Sequence, residues 1–426
     1  MITLILSFIQ FLLISYICYY EYKLKSSSIF MWLTVFLMFG LTHLITTISE
    51  NKPYPIWVLD IASIFVILFC LMYLFTRRLF LLKTNINIIK FDISAENKYK
   101  KLNYFDYILL LIFIIIVVYK NYLIYFNIGF FDSSWSTNRE IFTREPTSNV
   151  ILWFYFISSG ILLITLIKKR MNIFFIVLII IIINTIISRN RIEIIPVFIA
   201  LLSYLFFWKK FTYKKLVLLT ILSFLILYCV NGLIVFRHFG TIETFISSSN
   251  FKTFNNLIFN QITISSGELG LKDVFYYFIY NNNEFPNFEK GHTYIRMLLV
   301  LIPTNFSFGI KPPDFAISMG YAVNPYLQGF STHPTLFGDC YANFGLFGFL
   351  LGIFWAIFFS VIDYLIKKND PTIKLCLFSL CSTVFIFLGR GSVYNSFSIL
   401  IWGYFIIIFI YKISYYITKN TKIQKY

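Results

Sequence analysis

The sequence predicts an all-α polytopic membrane protein of about 11 transmembrane helices, with one large outer-face loop holding short helices or a re-entrant segment. Three observations carry this. Apolar residues make up 58% of the 426 positions and charged residues 13%. Uninterrupted apolar runs close to the length of a bilayer-spanning helix recur along the chain. Only one long stretch, 237–341, is polar enough to lie outside such runs, and it holds His238, His292 and His333.

The spans fall near 2–20, 29–48, 56–76, 105–126, 150–167, 172–188, 192–208, 216–234, 342–366, 372–389 and 393–411. The first has no basic residues before it, and Lys23 and Lys25 follow it, so it reads as an uncleaved anchor with its N-terminus outside. The sixth and seventh form an Ile-rich hairpin with Ser188-Arg189-Asn190-Arg191 at its tip. The eighth ends at Arg237-His238 after the helix-weakening pair Asn231-Gly232. The tenth ends at Arg390, between Gly389 and Gly391. The run from Met297 to Pro303 is too short to cross and ends at a proline, which makes it re-entrant or interfacial. No internal repeat is evident, and one transmembrane domain, 1–426, containing the loop 237–341, is the economical organisation.

Charge sets the orientation. With the N-terminus outside, the cytoplasmic segments hold 23 Lys+Arg against 6 Asp+Glu, and the remaining positions hold 13 of each sign. The formal charge of +17 therefore lies on one side, as the positive-inside rule requires, with the C-terminus cytoplasmic. The basic balance reports topology and contact with anionic membrane lipid, and gives no reason to expect a nucleic-acid partner. Five of the six cysteines lie in spans and Cys340 stands alone, so neither a disulfide framework nor a CxxC site is indicated.

The two cation types are distributed differently. The cytoplasmic segments carry 20 Lys and 3 Arg, whereas 7 of the 10 Arg fall at outer or intramembrane positions. Lysine suffices for topology. The rigid arginine fork grips phosphate or carboxylate at two points, so an arginine-weighted outer face suggests an anionic ligand. Arg189, Arg191, Arg237 and Arg390, all at span ends, are the candidates for a diphosphate clamp. The simpler alternatives are a solvated turn, with Glu193 paired to Arg189 or Arg191, and snorkelling to the interface.

Within the loop, the aromatic run from Asp273 to Tyr280 suits the membrane surface or a sugar-stacking platform. The closing run places His333 and Asp339 ahead of the ninth span and Tyr341 and Asn343 in its first turn. A sugar hydroxyl attacking as nucleophile needs a carboxylate or imidazole to take its proton, and His333 and Asp339 are the best placed. Asp339 would otherwise serve as a helix cap or dipole partner. His238, Arg296, Tyr341 and Asn343 are further substrate-binding candidates. Gly345, Gly348 and Gly352 make a small-residue face that permits close packing. No Asp-rich pair has the spacing that holds Mg²⁺, so neither a metal nor another cofactor is expected.

Ser188-Arg189-x-Arg191, Gly291-x-Thr293-Tyr294 with Ile302-Pro303 and Lys311-Pro312, and Gly338-Asp339-x-Tyr341-x-Asn343-Phe344-Gly345-x-x-Gly348 together resemble bacterial O-antigen polymerases, the Wzy-type oligosaccharide repeat-unit polymerases. The likeness covers most of the chain and includes the span count and the large outer loop. The family usually carries Glu where this chain has Asp339. The resemblance implies a multi-pass protein of the bacterial inner membrane that performs metal-independent glycosyl transfer at its outer face. The donor would be a glycan on undecaprenyl diphosphate, the acceptor a hydroxyl of a second lipid-linked repeat unit, and a chain-length regulator protein a possible partner. An O-antigen ligase or related transferase would share the donor and differ in the acceptor. A lipid-linked oligosaccharide flippase is the non-enzymatic alternative. It should carry charges deep in its spans and short loops on both sides.

Overall fold

The computed structural model describes residues 2–49, 53–84, 102–127, 138, 148–208, 256–258, 269–284, 290–302, 306–323 and 332–423, with isolated positions between 212 and 235. Among these residues, 9 helices are long and apolar enough to cross a membrane. The chain is an all-α, multi-pass membrane protein. The seventh expected span is observed as a shorter apolar helix, Ile192–Trp208, and most of the eighth, 216–234, lies outside the described residues.

The described residues fall into two compact units. The first comprises 1–89, 264–368 and 384–401; the second comprises 90–263, 369–383 and 402–426. The helices of the first are α1 (Ile2–Leu24), α2 (Ile29–Ile48) and α3 (Ile56–Thr84). α4 (Tyr104–Asn127), α5 (Ser148–Ser158), α6 (Ile161–Ile167), α7 (Met171–Ser188) and α8 (Ile195–Ser203) belong to the second. α9 (Lys272–Tyr280), α10 (His292–Leu298), α11 (Phe315–Val323), α12 (Thr335–Phe344) and α13 (Leu351–Lys368) return to the first. α14 (Pro371–Gly389) and α15 (Val393–Ile423) contribute to both.

In the first unit, α3 packs against α1 and α13. Gly352 makes the second contact possible: a Cβ there would stand 2.5 Å from the Phe69 carbonyl oxygen. The expected small-residue face is thus used at Gly352. Gly348 is used as well, since its Cβ would stand 2.3 Å from the Cys340 carbonyl oxygen. Gly345 has another role. Its φ of +58° ends α12, and a 3-10 turn over Gly345–Leu350 separates α12 from α13. The sequence reading started a continuous span at 342. Helix in fact begins at Thr335, so Asp339 lies inside α12 rather than ahead of a helix.

α2 carries a π turn over Phe36–Leu41, and Gln10 of α1 donates to the Phe39 carbonyl there at 2.6 Å. A side-chain amide thus satisfies a backbone group inside a bundle where water is scarce. The aromatic run expected on the membrane surface forms α9 and is packed inside the first unit instead. Phe275 lies 5.7 Å from Phe39, 5.5 Å from Phe65 and 5.7 Å from Tyr341. Phe337 of α12 meets Phe39 at 5.0 Å and Phe69 at 5.1 Å. Edge-on ring packing of this kind gives the loop helices a fixed seat on α2 and α3.

Charges assigned to cytoplasmic connectors are buried here. Arg77 grips Glu21 through Nε at 3.0 Å and Nη2 at 2.9 Å, donates to Ser360 at 2.7 Å, and pairs with Asp363. Tyr73 and Ser28 each donate to Glu21 at 2.7 Å, and Ser26 donates to Asp363 at 2.9 Å. The group ties α1, α3 and α13 together at one end of the unit.

In the second unit, α4 begins with a reciprocal cap. The Asp106 amide donates to Asn103 Oδ1 at 3.1 Å and the Asn103 amide to Asp106 Oδ2 at 2.9 Å, while Lys168 neutralises Asp106. Glu193 pairs with Lys120 of α4 and accepts from Asn184 of α7, two partners the sequence did not suggest. The 3-10 turn Arg191–Ile194 directs Glu193 inward, where a buried ammonium on α4 needs an anion. α15 lies against α5 through stacked Trp153 and Trp402, 5.4 Å apart. It meets α14 at Gly403, where a Cβ would stand 2.6 Å from Leu380.

Candidate functional site

The chemistry-bearing residues of the first unit gather where α10, the segment before α11, the start of α12 and the α14–α15 turn meet. α12 is the organising element. Thr293 of α10 donates to Asp339 Oδ2 at 3.1 Å. Asn343 Nδ2 bonds Thr293 Oγ1 at 3.1 Å and Asp339 Oδ1 at 3.3 Å, and its Oδ1 accepts the Thr293 amide at 3.2 Å. Asp339, Asn343 and Thr293 are all buried. No described cation pairs with the Asp339 carboxyl, which is committed to joining α12 to α10. Tyr294, next to Thr293, sets its hydroxyl 3.4 Å from Cys340 Sγ. Burial of that hydroxyl, with Cys340 and Asp339 as nearby acidic groups, holds its pKa well above the usual phenol value.

Tyr341 is also buried, with its ring against Phe65 and Phe275 and its carbonyl accepting from Asn283 at 3.0 Å. Asn283 also bonds the Ala342 carbonyl at 2.6 Å. Two backbone acceptors near the end of α12 are thereby satisfied.

The start of α12 is anchored on the α14–α15 turn. The Thr335 amide donates to the Arg390 carbonyl at 2.9 Å. Gly391, at φ +96°, lies so close that a Cβ would stand 2.4 Å from the Thr335 nitrogen. Gly389 faces α2, where a Cβ would stand 2.9 Å from Thr34 Cβ. The close approach these glycines permit is taken up by protein contacts. Their effect is to hold the backbones of Arg390 and His333 near each other, with both side chains half-buried.

Tyr394, one residue into α15, collects two cations. Arg296 Cζ lies 4.4 Å and Lys311 Nζ 5.4 Å from its ring centroid. Arg296 also donates to the Pro312 carbonyl, and Lys311 donates to the Ile302 carbonyl at 2.7 Å. Arg296 Nε is buried without a hydrogen-bond partner. Neither cation is paired with a described carboxylate. Two positive charges on one ring repel each other. A bound anion would relieve that repulsion. Arg390 adds a second guanidinium four residues before Tyr394.

Of the sequence-derived candidates, the structure therefore groups Arg296, Arg390, His333, Asp339, Tyr341 and Asn343 in the first unit. Arg189 belongs to the second unit, where it is buried and ends α7 with a left-handed backbone, φ +52°. Arg191 opens the following 3-10 turn and its side chain is outside the described set. Arg237 and His238 also lie outside the described residues.

Sequence reasoning did not single out Tyr394. The signal was an aromatic residue just beyond the Gly-Arg-Gly turn, available as a platform for cations. Lys311 was noted only as part of a Lys-Pro motif. Compared with known proteins, the chain matches no family model, no curated protein and no solved structure.

Proposed function

We propose that the chain is a polysaccharide polymerase that joins polyprenyl-diphosphate-linked oligosaccharide repeat units by glycosyl transfer at the outer face of a bacterial inner membrane. The observation that carries this reading is the convergence of Arg296 and Lys311, neither paired with a described carboxylate, on Tyr394, four residues after Arg390. In a chain so poor in charge, such a cluster is suited to an anion carried on a membrane lipid.

The acceptor hydroxyl oxygen attacks the anomeric carbon of the donor. Its proton passes to the imidazole of His333. The bond between that carbon and the diphosphate oxygen breaks, and the electron pair leaves with the diphosphate. Fixed guanidinium groups stabilise the departing charge without reorganising, which is the largest contribution a protein makes to such a step. Between the two carboxylate and imidazole candidates, the geometry favours His333 as base. Asp339 positions α12, and through it His333, by its bonds to Thr293 and Asn343.

A deletion of the gene in its source strain, examined by glycan gel, tests the assignment. Loss of the ladder with a single repeat unit still attached is the expected result. Loss of all attached glycan would point to a ligase or flippase instead, and an unchanged ladder would refute every lipid-linked-glycan role.

A further inference from the structure

We infer that the turn between α10 and α11 is a membrane-inserted knuckle whose partner is the hydrocarbon of the adjacent leaflet. This goes beyond the proposed reaction, since it rests only on the chain being a membrane protein. Among the described residues the exposed side chains there are almost all large and apolar: Leu298 is 86% exposed, Phe306 70%, Phe308 91% and Ile310 70%. Between them two described polar residues turn inward. Ser307 and Lys311 are buried, and Lys311 ties the segment back on itself through the Ile302 carbonyl at 2.7 Å. Apolar tips outside and polar staples inside invert the order expected of a loop in water.

The backbone makes the same point. The Ile310 amide donates to the Ser307 carbonyl at 2.9 Å, closing a turn with Phe308 at φ +47° and Gly309 at φ +81°. The first of these positions favours Asn, Asp or Gly, and a bulky side chain held there is a strained choice. Strain spent on projecting a phenyl ring outward has a reason if the ring has somewhere apolar to go.

Contacts fix the depth. Tyr294 of α10 lies 5.1 Å from Phe344 and 6.2 Å from Phe354, the latter in the first turn of α13. Both belong to one stretch long and apolar enough to cross a membrane, Thr335–Lys368, whose Leu346 and Phe347 are exposed. α10 therefore stands level with that exposed apolar surface, and the knuckle continues it. With 7 residues, α10 is far too short to cross, so the segment enters the leaflet without spanning it. Arg296 and Lys311 border the knuckle, which sets their cluster at the headgroup boundary rather than in open water.

The test uses the full-length protein in nanodiscs of phosphatidylcholine and phosphatidylglycerol. A bimane label is placed at Phe308→Cys and, in a second variant, at Ile310→Cys. Phe347→Cys serves as the lipid-facing reference and Glu284→Cys as the aqueous one. Unsubstituted protein gives the background from Cys18 and Cys229. The expected result is quenching by brominated acyl chains within twofold of the Phe347 label, with iodide quenching at least fivefold weaker than at Glu284. Iodide quenching equal to that at Glu284 would overturn the inference. So would protection from both quenchers, which would mean that protein covers the turn.

Discussion

Replacing Arg77 by Met should unfold the first unit far more readily than replacing all three charged members of its network. In the native protein the guanidinium holds Glu21 at 2.9 Å and 3.0 Å, Ser360 at 2.7 Å and Asp363 besides, all buried. Removing it leaves two carboxyls facing each other away from water. Breaking a buried ion pair by truncating one partner typically costs 3–5 kcal/mol. Relieving the loss by protonating one carboxyl at neutral pH costs about 4 kcal/mol, from its ordinary pKa near 4. A loss of about 4 kcal/mol is comparable with the whole stability of many domains. At roughly 2–4 °C per kcal/mol for a unit of this size, Tm should fall by about 8–16 °C. Combining Glu21→Gln, Arg77→Met and Asp363→Asn should recover most of that loss, because no uncompensated charge remains. Thermal unfolding of purified protein, read by fluorescence-detected gel filtration after heating, measures both variants. An Arg77→Met protein melting within about 2 °C of wild type, or a triple variant no better than the single, would refute the reasoning.

Other outcomes follow from the site. Gly391→Ala should disrupt the α12 anchor, since its Cβ would stand 2.4 Å from the Thr335 nitrogen; glycan output should fall with a destabilisation of about 1–3 kcal/mol by thermal melting. Asp339→Asn keeps acceptor and size and should retain most polymerisation, whereas Asp339→Ala should lose it with a lowered Tm; equal activity in both would remove Asp339 from the positioning role. His333→Ala should lower the transfer rate by about 10²–10⁴-fold, the usual contribution of a general base, with little change in melting temperature. Lys120→Met should destabilise the second unit and Glu193→Gln in the same chain should restore it, because each alone leaves a buried charge.

The long helices were legible because a helix in lipid has to be apolar for the full thickness of the bilayer. α1, α3, α4, α7 and α14 lie where their apolar runs predicted. What apolar runs conceal is any change of direction within them. The π turn at Phe36–Leu41 and the break at Gly345 depend on which neighbours crowd the helix, and Phe and Gly are common in both broken and unbroken spans. Aromatic runs are ambiguous for a related reason: a membrane surface and a protein core both favour α9's Phe275, Tyr276 and Phe278. Long-range charge pairing was also hidden. Glu21 and Asp363 look like ordinary connector acids until the fold carries them to Arg77. Among the candidates, Arg390 was legible as an arginine at a span end and Arg296 only as an outer-face loop arginine. Tyr394 was missed because a tyrosine in a chain with 30 of them carries no signal until the cations on its ring are seen.

The central claim is that the cations around Tyr394 hold the diphosphate of a lipid-linked donor. Its most direct test is the equilibrium affinity of purified protein for polyprenyl diphosphate, measured in nanodiscs for wild type and for an Arg296→Gln, Lys311→Gln double variant. Each charge-assisted hydrogen bond to phosphate contributes about 1.5–3 kcal/mol. Loss of two should therefore raise Kd by at least about 100-fold, while Tm without ligand stays within a few degrees. An unchanged Kd in a folded double variant would contradict the account.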